Sequence, residues 1–247
     1  MSAKDLRLPP PALPGDLVAI AATSRPVEEQ QIQAAVKLWQ SAGYRVTQAS
    51  NIGKVSTVFA GSVAERAAAL QTLLDDPQVR VVHFGKGGYG VHQIMDALDW
   101  SKFTEAPKWL VGFSDLTFLL THVQRLGVQG LHGPMAACFH QQARVDAFEV
   151  LVQAVHNQPL EYELEAVNLP EHIFDKFTGR ISGGNLSLLQ TTLGTELEAA
   201  IGQAELLLIE EVDEYVYAID RMLRHLEMSG VLEKKQAIII GSLDWLK

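Results

Sequence analysis

The sequence predicts an α/β protein whose N-terminal part is a doubly wound, mostly parallel sheet of the Rossmann or flavodoxin-like type. Two observations predict this class. Short apolar runs alternate with amphipathic stretches of helical period through the first half of the chain, which is typical of a parallel sheet with helices on both faces. The 247 residues are 47% apolar, enough to bury a core in one large or two modest domains.

The predicted strands of this N-terminal part are short, mainly apolar runs that alternate with the helical stretches. They are DLVAIAA (16–22), YRVTQA (44–49), VRVVHF (79–84) and KWLVGF (108–113).

The predicted helices between and after these strands each have apolar residues on one face. The first ends at Gly43, and the second begins with a capping box of Ser62 and Glu65 and ends before Pro77. The apolar residues are Ile32, Val36 and Trp39 in the first helix, Leu70, Leu73 and Leu74 in the second, Val91, Ile94, Met95 and Leu98 in the third, and Leu116, Leu119, Leu120, Val123 and Leu126 in the fourth.

The composition changes near residue 158, where Pro, Gly and alternating charges replace the regular pattern. We therefore predict an N-terminal domain over 1–158 and a smaller, mixed α/β C-terminal domain over 159–247. The second domain is predicted to contain a helix after Gly183 and Gly184, a strand AELLLIEEV (204–212), a helix AIDRMLRHLEMSG (218–230) and a strand QAIII (236–240). The last seven residues add no closing element, so we expect this domain to be incomplete.

Composition excludes several functional classes. The net charge of −9 opposes binding to nucleic acid. The single cysteine, Cys138, cannot form an internal disulfide and is expected to be a small buried apolar residue. The eight histidines are scattered without metal-ligand spacing, so no metal is expected. Neither a signal peptide nor a membrane span is predicted, and a cytoplasmic protein fits best.

The stretch GKGGYG (85–90) has the spacing G-x-G-x-x-G after a predicted strand, which is the pattern of a dinucleotide-binding turn. A dinucleotide site would add an acidic residue about twenty positions later, at the end of the next strand. Glu105 has that spacing, but it falls in the predicted loop SKFTEAPK. A nucleotide-binding module therefore remains an alternative function.

Ser114 lies between a predicted strand and a predicted helix, in the pattern G-x-S-D. A serine at such a corner projects from the carboxyl edge of the sheet, and the helix N-terminus offers amide donors to a developing oxyanion. In the alternative, Ser114 is only the N-cap of the helix and Asp115 is favoured in its first turn by the helix dipole.

The run LLLIEEVDEY (206–215) brings acidic residues to the end of a buried strand. A carboxylate fixed there can orient a histidine that activates a serine. The alternative is a solvated acidic loop. The acids are Glu210, Glu211, Asp213 and Glu214.

Five segments, in this order, resemble the successive motifs of the LD-carboxypeptidases, a family of serine peptidases. They are GKGGYG, VGFSDLT, LHGPM, GRISGGNLSLLQTTLGT and LLLIEEVDEYVYAIDRMLRHLEMSGVL. The resemblance implies hydrolysis of the L,D-peptide bond to the terminal D-alanine of murein tetrapeptides during cell-wall recycling. It implies a Ser-His-Glu triad, no cofactor, a cytoplasmic location and a homodimer.

The resemblance also assigns roles to particular residues. The nucleophile is Ser114 and the triad carboxylate is Glu210. The oxyanion donors are the backbone N–H of Asp115 and that of Gly87 or Gly88. Asn185 matches a position near the cleft. The remaining acids of the run, Glu211, Asp213 and Glu214, are expected to be structural or to lie at the edge of the site.

The sequence departs from the family pattern at two places. Lys86 stands where the family usually has arginine, which keeps the charge but loses the planar fork. The family's catalytic histidine follows the strand that corresponds to QAIIIGS, and no histidine of these 247 residues matches it. We therefore expect a C-terminal segment to be missing. His132 lies beside a motif without being required there, and the other histidines named by their patterns, His83, His92 and His225, are expected to have packing or surface roles.

A second peptidase activity remains open within the same family. Its members include a peptidase that cleaves a nucleotide-peptide antibiotic and confers immunity, and the motifs do not exclude that activity.

Overall fold

The computed structural model describes residues 6–140, 145–163 and 177–246. In these ranges the strands form one sheet of five strands and one of three, and every pairing in both sheets is parallel. The strands are β1 Leu17–Ala21, β2 Arg45–Gln48, β3 Val79–Phe84, β4 Trp109–Gly112, β5 Leu131–His132, β6 Ile181–Asn185, β7 Leu206–Tyr215 and β8 Ala237–Leu246.

The α-helices of the described ranges connect these strands. They are α1 Glu29–Ser41, α2 Val63–Asp75, α3 Ser101–Glu105, α4 Leu116–Arg125, α5 Val145–Val155, α6 Leu186–Thr192, α7 Glu198–Gln203 and α8 Val216–Met228. Short 3₁₀ turns are also present at Val91–Gln93, Met95–Ala97 and Ala136–His140.

The five-stranded sheet has the order β2-β1-β3-β4-β5, the flavodoxin-like order of a doubly wound fold. Helices cover both faces, as the sequence predicts. On one face Trp39 of α1 packs with Phe148 of α5, and on the other Leu70 of α2 and Leu119 of α4 belong to a single apolar cluster. The order of the strands reverses between β1 and β3, so the loops after these two strands flank a crevice where such folds bind ligands.

The smaller sheet has the order β6-β7-β8. Helices α6 and α8 pack on it through Leu186, Leu189, Met222 and Leu226, which are buried with Leu207 and Ile209 of β7. This arrangement confirms the predicted smaller α/β part. Both β7 and β8 are ten residues long, so each extends further than the apolar run that predicted it.

One predicted helix is wrong. Residues 91–98 form two 3₁₀ turns instead of the third helix, although Val91, Ile94 and Leu98 are buried as expected. Gly90 enters the segment at φ 149° and Leu98 leaves it in an extended conformation. The Gly90 carbonyl accepts from Arg66 and the Val91 N–H donates to Asp115, so side chains from other elements hold the start of the segment.

A second correction concerns Glu105, which was predicted to lie in a loop. It is the last residue of α3. The sequence patterns also gave no prediction for α7 or for the two-residue strand β5.

The boundary near residue 158 stays a prediction, because residues 164–176 lie outside the described ranges and part of the predicted short strands falls there. Among the described residues, none of the helices is long and apolar enough to cross a lipid bilayer.

Candidate functional site

Ser114 lies at the corner between β4 and α4 with its backbone in the left-handed region, at φ 58°. This conformation costs a non-glycine residue about 1–2 kcal/mol. The helix begins with backbone bonds from the N–H groups of Leu116 and Thr117 to the carbonyls of Phe113 and Ser114. The start of α4 has no side-chain capping hydrogen bond, and its N-cap residue is Asp115. The Ser114 side chain therefore does not cap the helix, contrary to the alternative.

The glycine-rich loop after β3 lies against this corner. A Cβ placed on Gly87 would lie 3.3 Å from the Ser114 Oγ and 3.3 Å from the Met135 Cε. Over the described residues, the backbone N–H groups of Gly87, Gly88 and Asp115 donate no hydrogen bond. Unpaired amides beside a serine hydroxyl are the groups that an oxyanion hole requires.

The fully buried carboxylate of Asp115 ties the corner to two loops. Its Oδ2 accepts a bond of 2.6 Å from the Ser24 hydroxyl, in the loop after β1, and one of 3.0 Å from the backbone N–H of Val91. Hydrogen bonds to an ionised acceptor are roughly twice as strong as neutral ones. The Asp115 side chain therefore fixes the corner relative to both loops.

Arg66 of α2 fastens the same two loops from behind. Its side chain is 1% exposed, and Nη1 donates to the carbonyls of Thr23 at 2.6 Å and Gly90 at 2.7 Å. The buried guanidinium of Arg66 therefore bonds one carbonyl in the loop after β1 and one in the glycine-rich loop after β3. The positions of the two loops are coupled through a single side chain.

Glu210 lies near the middle of β7, opposite Asn185 of β6. Its side chain is 17% exposed, and burial together with the charge of Glu211 raises its pKa to about 7. The Nε2 of His132 lies 3.9 Å from the Glu210 Oε1, which is too long for a hydrogen bond. Burial lowers the pKa of His132, so its ring is neutral at pH 7.

Glu211 holds the end of the small sheet together. Its carboxylate accepts from the Asn185 amide at 2.8 Å and from the backbone N–H groups of Ser187 at 2.8 Å and Val212 at 3.0 Å. Asn185, which is 4% exposed, also accepts from the Leu188 N–H and so caps α6. Both side chains are occupied by these structural bonds.

Helix α4 links the two sheets. The Asn185 N–H donates to the Thr117 Oγ1 at 3.1 Å, and the Gln124 amide donates to the Ile181 carbonyl at 2.9 Å. In the pairing of β5 with β4, His132 lies opposite Gly112, the last residue of β4. Ser114 follows Gly112 by two residues. Helix α4, which follows Ser114, is therefore bonded to β6, the strand that pairs with the strand of Glu210.

The other histidines have the packing roles expected from the sequence. His83 is buried between the Trp39 indole N–H at 3.0 Å and the Pro134 carbonyl at 2.9 Å, and burial lowers its pKa to about 4. His92 and His225 both contact side chains of α6.

Metal and nucleotide binding receive little support from the geometry. In the described ranges, no three or more His, Cys, Asp or Glu residues are grouped so as to hold a metal ion. A pyrophosphate would need a helix N-terminus after the glycine-rich loop, but a three-residue 3₁₀ turn follows Gly90. Cys138 is partly buried.

A cavity of about 520 Å³ is lined in part by His132. Neither Ser114 nor Glu210 lines this cavity.

Sequence reasoning did not predict that His132 lies near Glu210, nor the side-chain hydrogen bonds of Ser24, Arg66 and Asp115. His132 is an immediate neighbour of Glu210, but the pair is 78 residues apart in the chain and no local pattern joins them. The burial of Arg66 could have been inferred from the sequence, because Arg66 falls on the apolar side of a helix that also buries Leu70 and Leu73.

Two family models match the chain. That of the LD-carboxypeptidase N-terminal domain matches residues 18–133, and that of the LD-carboxypeptidase C-terminal domain matches residues 178–246.

Individual proteins are similar over most of the chain. A probable murein peptide carboxypeptidase of Bacillus subtilis is 34% identical over 92% of this chain and 72% of its own length. The murein tetrapeptide carboxypeptidase of Pseudomonas aeruginosa is 32% identical over 74% of this chain and 62% of its own length. The structure of the microcin C7 self-immunity protein, a protein of Escherichia coli, superposes with a TM-score of 0.84 at 23% identity, covering 97% of this chain and 81% of that one.

Proposed function

This chain belongs to the LD-carboxypeptidase family, and we propose that it is a serine carboxypeptidase that releases the terminal D-alanine of murein tetrapeptides. The strained backbone of Ser114, at φ 58° beside the unpaired amides of the glycine-rich loop, is the observation that carries the proposal. Strain of this kind is retained where it positions a reacting group. The names of the Bacillus and Pseudomonas relatives support murein peptides as the substrate class.

In the proposed reaction the Ser114 Oγ attacks the carbonyl carbon that precedes D-alanine, and its proton passes to a histidine base. The oxyanion is held by the N–H of Asp115 and by that of Gly87 or Gly88. The C–N bond then breaks, the histidine returns the proton to the leaving amine, and water hydrolyses the acyl-enzyme. Glu210 acts as the carboxylate that orients the histidine and stabilises its charged form.

The base in this reaction is a histidine. In the family the base follows the strand that corresponds to QAIIIGS, and no histidine of these 247 residues lies at that position. His132, 3.9 Å from Glu210, is the alternative among the described residues. His132→Gln separates the two: a rate within about 10-fold of wild type assigns the base elsewhere, whereas a loss of 10³-fold or more assigns it to His132.

The defining experiment measures D-alanine release from a murein tetrapeptide by wild type and Ser114→Ala. We expect Ser114→Ala to lower the rate by at least about 10³-fold, because the remaining site cannot form the acyl-enzyme. Ser56→Ala, which changes an exposed serine in a turn, is the matched control and should leave the rate unchanged. A chelator should also leave it unchanged. Turnover by Ser114→Ala, or loss of turnover with the chelator, would contradict the serine mechanism.

The family resemblance also implies a cytoplasmic homodimer, which we add to the proposal. Light scattering of the purified protein gives the oligomeric state. The likeness to the self-immunity protein supports a shared fold at 23% identity, and a peptidyl nucleotide assayed beside the tetrapeptide tests that second substrate class.

A further inference from the structure

An exposed arginine lies across the glycine-rich loop beside the nucleophile. A Cβ placed on Gly88 would lie 2.6 Å from the Arg25 Cγ, 2.7 Å from its Cδ and 2.8 Å from its Nε, so the Arg25 side chain rests directly on the Gly88 backbone. The backbone N–H of Arg25 also donates to the Gly87 carbonyl at 3.3 Å. In the described ranges no carboxylate pairs with its guanidinium, and the residue is exposed.

This contact orients the peptide unit between Gly87 and Gly88. The C=O and N–H groups of a trans peptide point in opposite directions. Because the Gly87 carbonyl accepts from the Arg25 N–H, the Gly88 N–H points away from the Arg25 backbone. The same loop reaches Ser114, since a Cβ on Gly87 would lie 3.3 Å from the Ser114 Oγ. The arginine and the nucleophile therefore contact neighbouring residues of one loop.

Arg25 also lies at the edge of the large sheet where a ligand is expected to bind. It follows β1, and the glycine-rich loop follows β3, so both lie where the strand order reverses. Folds of this type bind their ligands in the crevice at that point.

A carboxypeptidase has to bind a free carboxylate close to the bond that it cleaves. The carboxylate carbon of a C-terminal residue lies at most about 4 Å from the preceding carbonyl carbon, so its counter-charge must adjoin the oxyanion donors. The chain as a whole has a net charge of −9 and does not attract an anionic peptide. A local cation is therefore needed.

We propose that Arg25 binds the free C-terminal carboxylate of the substrate through its guanidinium and thereby restricts the site to the last residue of a peptide. This inference rests on the proposed carboxypeptidase function and adds a binding residue to it. Arginine suits the role because its planar fork can form two parallel bonds with a carboxylate. Lys86, in the same loop, is the competing cation, but it offers a point charge on a partly buried side chain. Arg66 is excluded because backbone carbonyls already occupy it.

The test is equilibrium binding by calorimetry, which does not depend on the catalytic base. The ligands are a murein tetrapeptide ending in D-alanine and the same peptide ending in D-alaninamide. Every protein in the titration carries Ser114→Ala, so that the peptide is not hydrolysed during the measurement, and is otherwise wild type, Arg25→Gln, Arg25→Lys, Lys86→Gln or the control Arg224→Gln, which removes an exposed arginine on α8. We expect wild type and Arg224→Gln to bind the acid about 10- to 100-fold more tightly than the amide. Arg25→Gln should lose this preference, and Arg25→Lys should keep part of it.

Several outcomes would overturn the assignment. It fails if Arg25→Gln keeps the full preference for the acid, if Lys86→Gln loses the preference instead, or if wild type does not distinguish the two ligands. Each of these results leaves the proposed function standing as long as wild type releases D-alanine in a Ser114-dependent manner. Absence of that release overturns the proposed function by a separate measurement.

Discussion

Two residues of the site are held in states that reduce the stability of the fold. Ser114 has a left-handed backbone, and Glu210 keeps a carboxyl group in a mostly buried position next to Glu211. The Glu210 Oε1 has no hydrogen-bond partner among the described residues, so no bond at that oxygen offsets the burial. Residues kept in such unfavourable states are common at functional sites, which agrees with the proposed roles of Ser114 and Glu210.

The raised pKa of Glu210 makes stability depend on pH. Because burial and the Glu211 charge raise this pKa from 4.5 to about 7, the folded state binds more protons than the unfolded state between these two values. Stability therefore falls as the pH rises from about 4.5 to about 7. Glu210→Gln should remove this component and raise the free energy of unfolding at pH 8 by on the order of 1 kcal/mol, allowing for solvent screening of a side chain that is not fully buried.

Urea unfolding of wild type and Glu210→Gln at pH 5 and pH 8 measures this difference. Asp213→Asn is the control, because it removes an exposed charge from the same strand and keeps a residue type that tolerates φ 63°. D-alanine release should change in the opposite direction and increase with pH as Glu210 ionises. An unchanged pH dependence of stability in Glu210→Gln would show that another group causes it.

At the scale of single elements, the sequence predicted correctly those features that depend on interactions between residues close together in the chain. The capping box of α2 forms as predicted, with the Glu65 N–H bonded to the Ser62 hydroxyl and the Ser62 N–H bonded to the Glu65 carboxylate. All four strands predicted in the first half are present. These features depend on residues a few positions apart, which a sequence displays directly.

Elements that depend on distant contacts could not be predicted in this way. The segment after Gly90 has helical periodicity but forms 3₁₀ turns, and its first residues are held by Arg66 and by Asp115, 24 residues further along the chain. Glu210 was identified from the motif LLLIEEVDEY. The placement of His132 beside it follows from the packing of β5 against the small sheet, and no short pattern encodes that packing.

The glycine-rich loop provides a test at this scale. Gly87 has an ordinary φ, yet a Cβ there would lie 3.2 Å from the Ser114 Cβ and 3.3 Å from its Oγ. Gly87→Ala should therefore keep most of the stability, with a loss of less than about 1 kcal/mol, and lower D-alanine release by at least about 10-fold because the methyl group displaces the nucleophile.

Gly53→Ala is the matched control, since its φ is 78° and a Cβ there would meet nothing within 4 Å. It should lose about 1 kcal/mol through backbone strain and keep full activity. Thermal unfolding and the release assay on both variants give the comparison. If Gly87→Ala keeps full activity, the loop does not confine the nucleophile as described.

At the scale of the whole molecule, the site depends on how the two sheets are held together. Ser114 belongs to the large sheet and Glu210 to the small one, and α4 contacts both. An exposed ion pair between Arg125 and Glu196 adds a further link, but exposed pairs contribute little. The bond from the Asn185 N–H to the Thr117 Oγ1 is buried, and it joins a residue three positions after Ser114 to the residue that pairs with Glu210.

This link leads to the last prediction. Thr117→Val keeps the shape of the side chain but leaves the Asn185 N–H, which is buried, without an acceptor, and this should cost about 1–3 kcal/mol. Because the small sheet then moves relative to the corner that carries Ser114, kcat should fall by about 10-fold or more. Thr121→Val is the control: the Thr121 hydroxyl, also buried, donates to the Thr117 carbonyl within α4, so its loss should cost about 1 kcal/mol and leave kcat unchanged. Unfolding in urea and the release assay measure both quantities. Equal activity of the two variants would mean that the position of Glu210 is set by other contacts between the sheets.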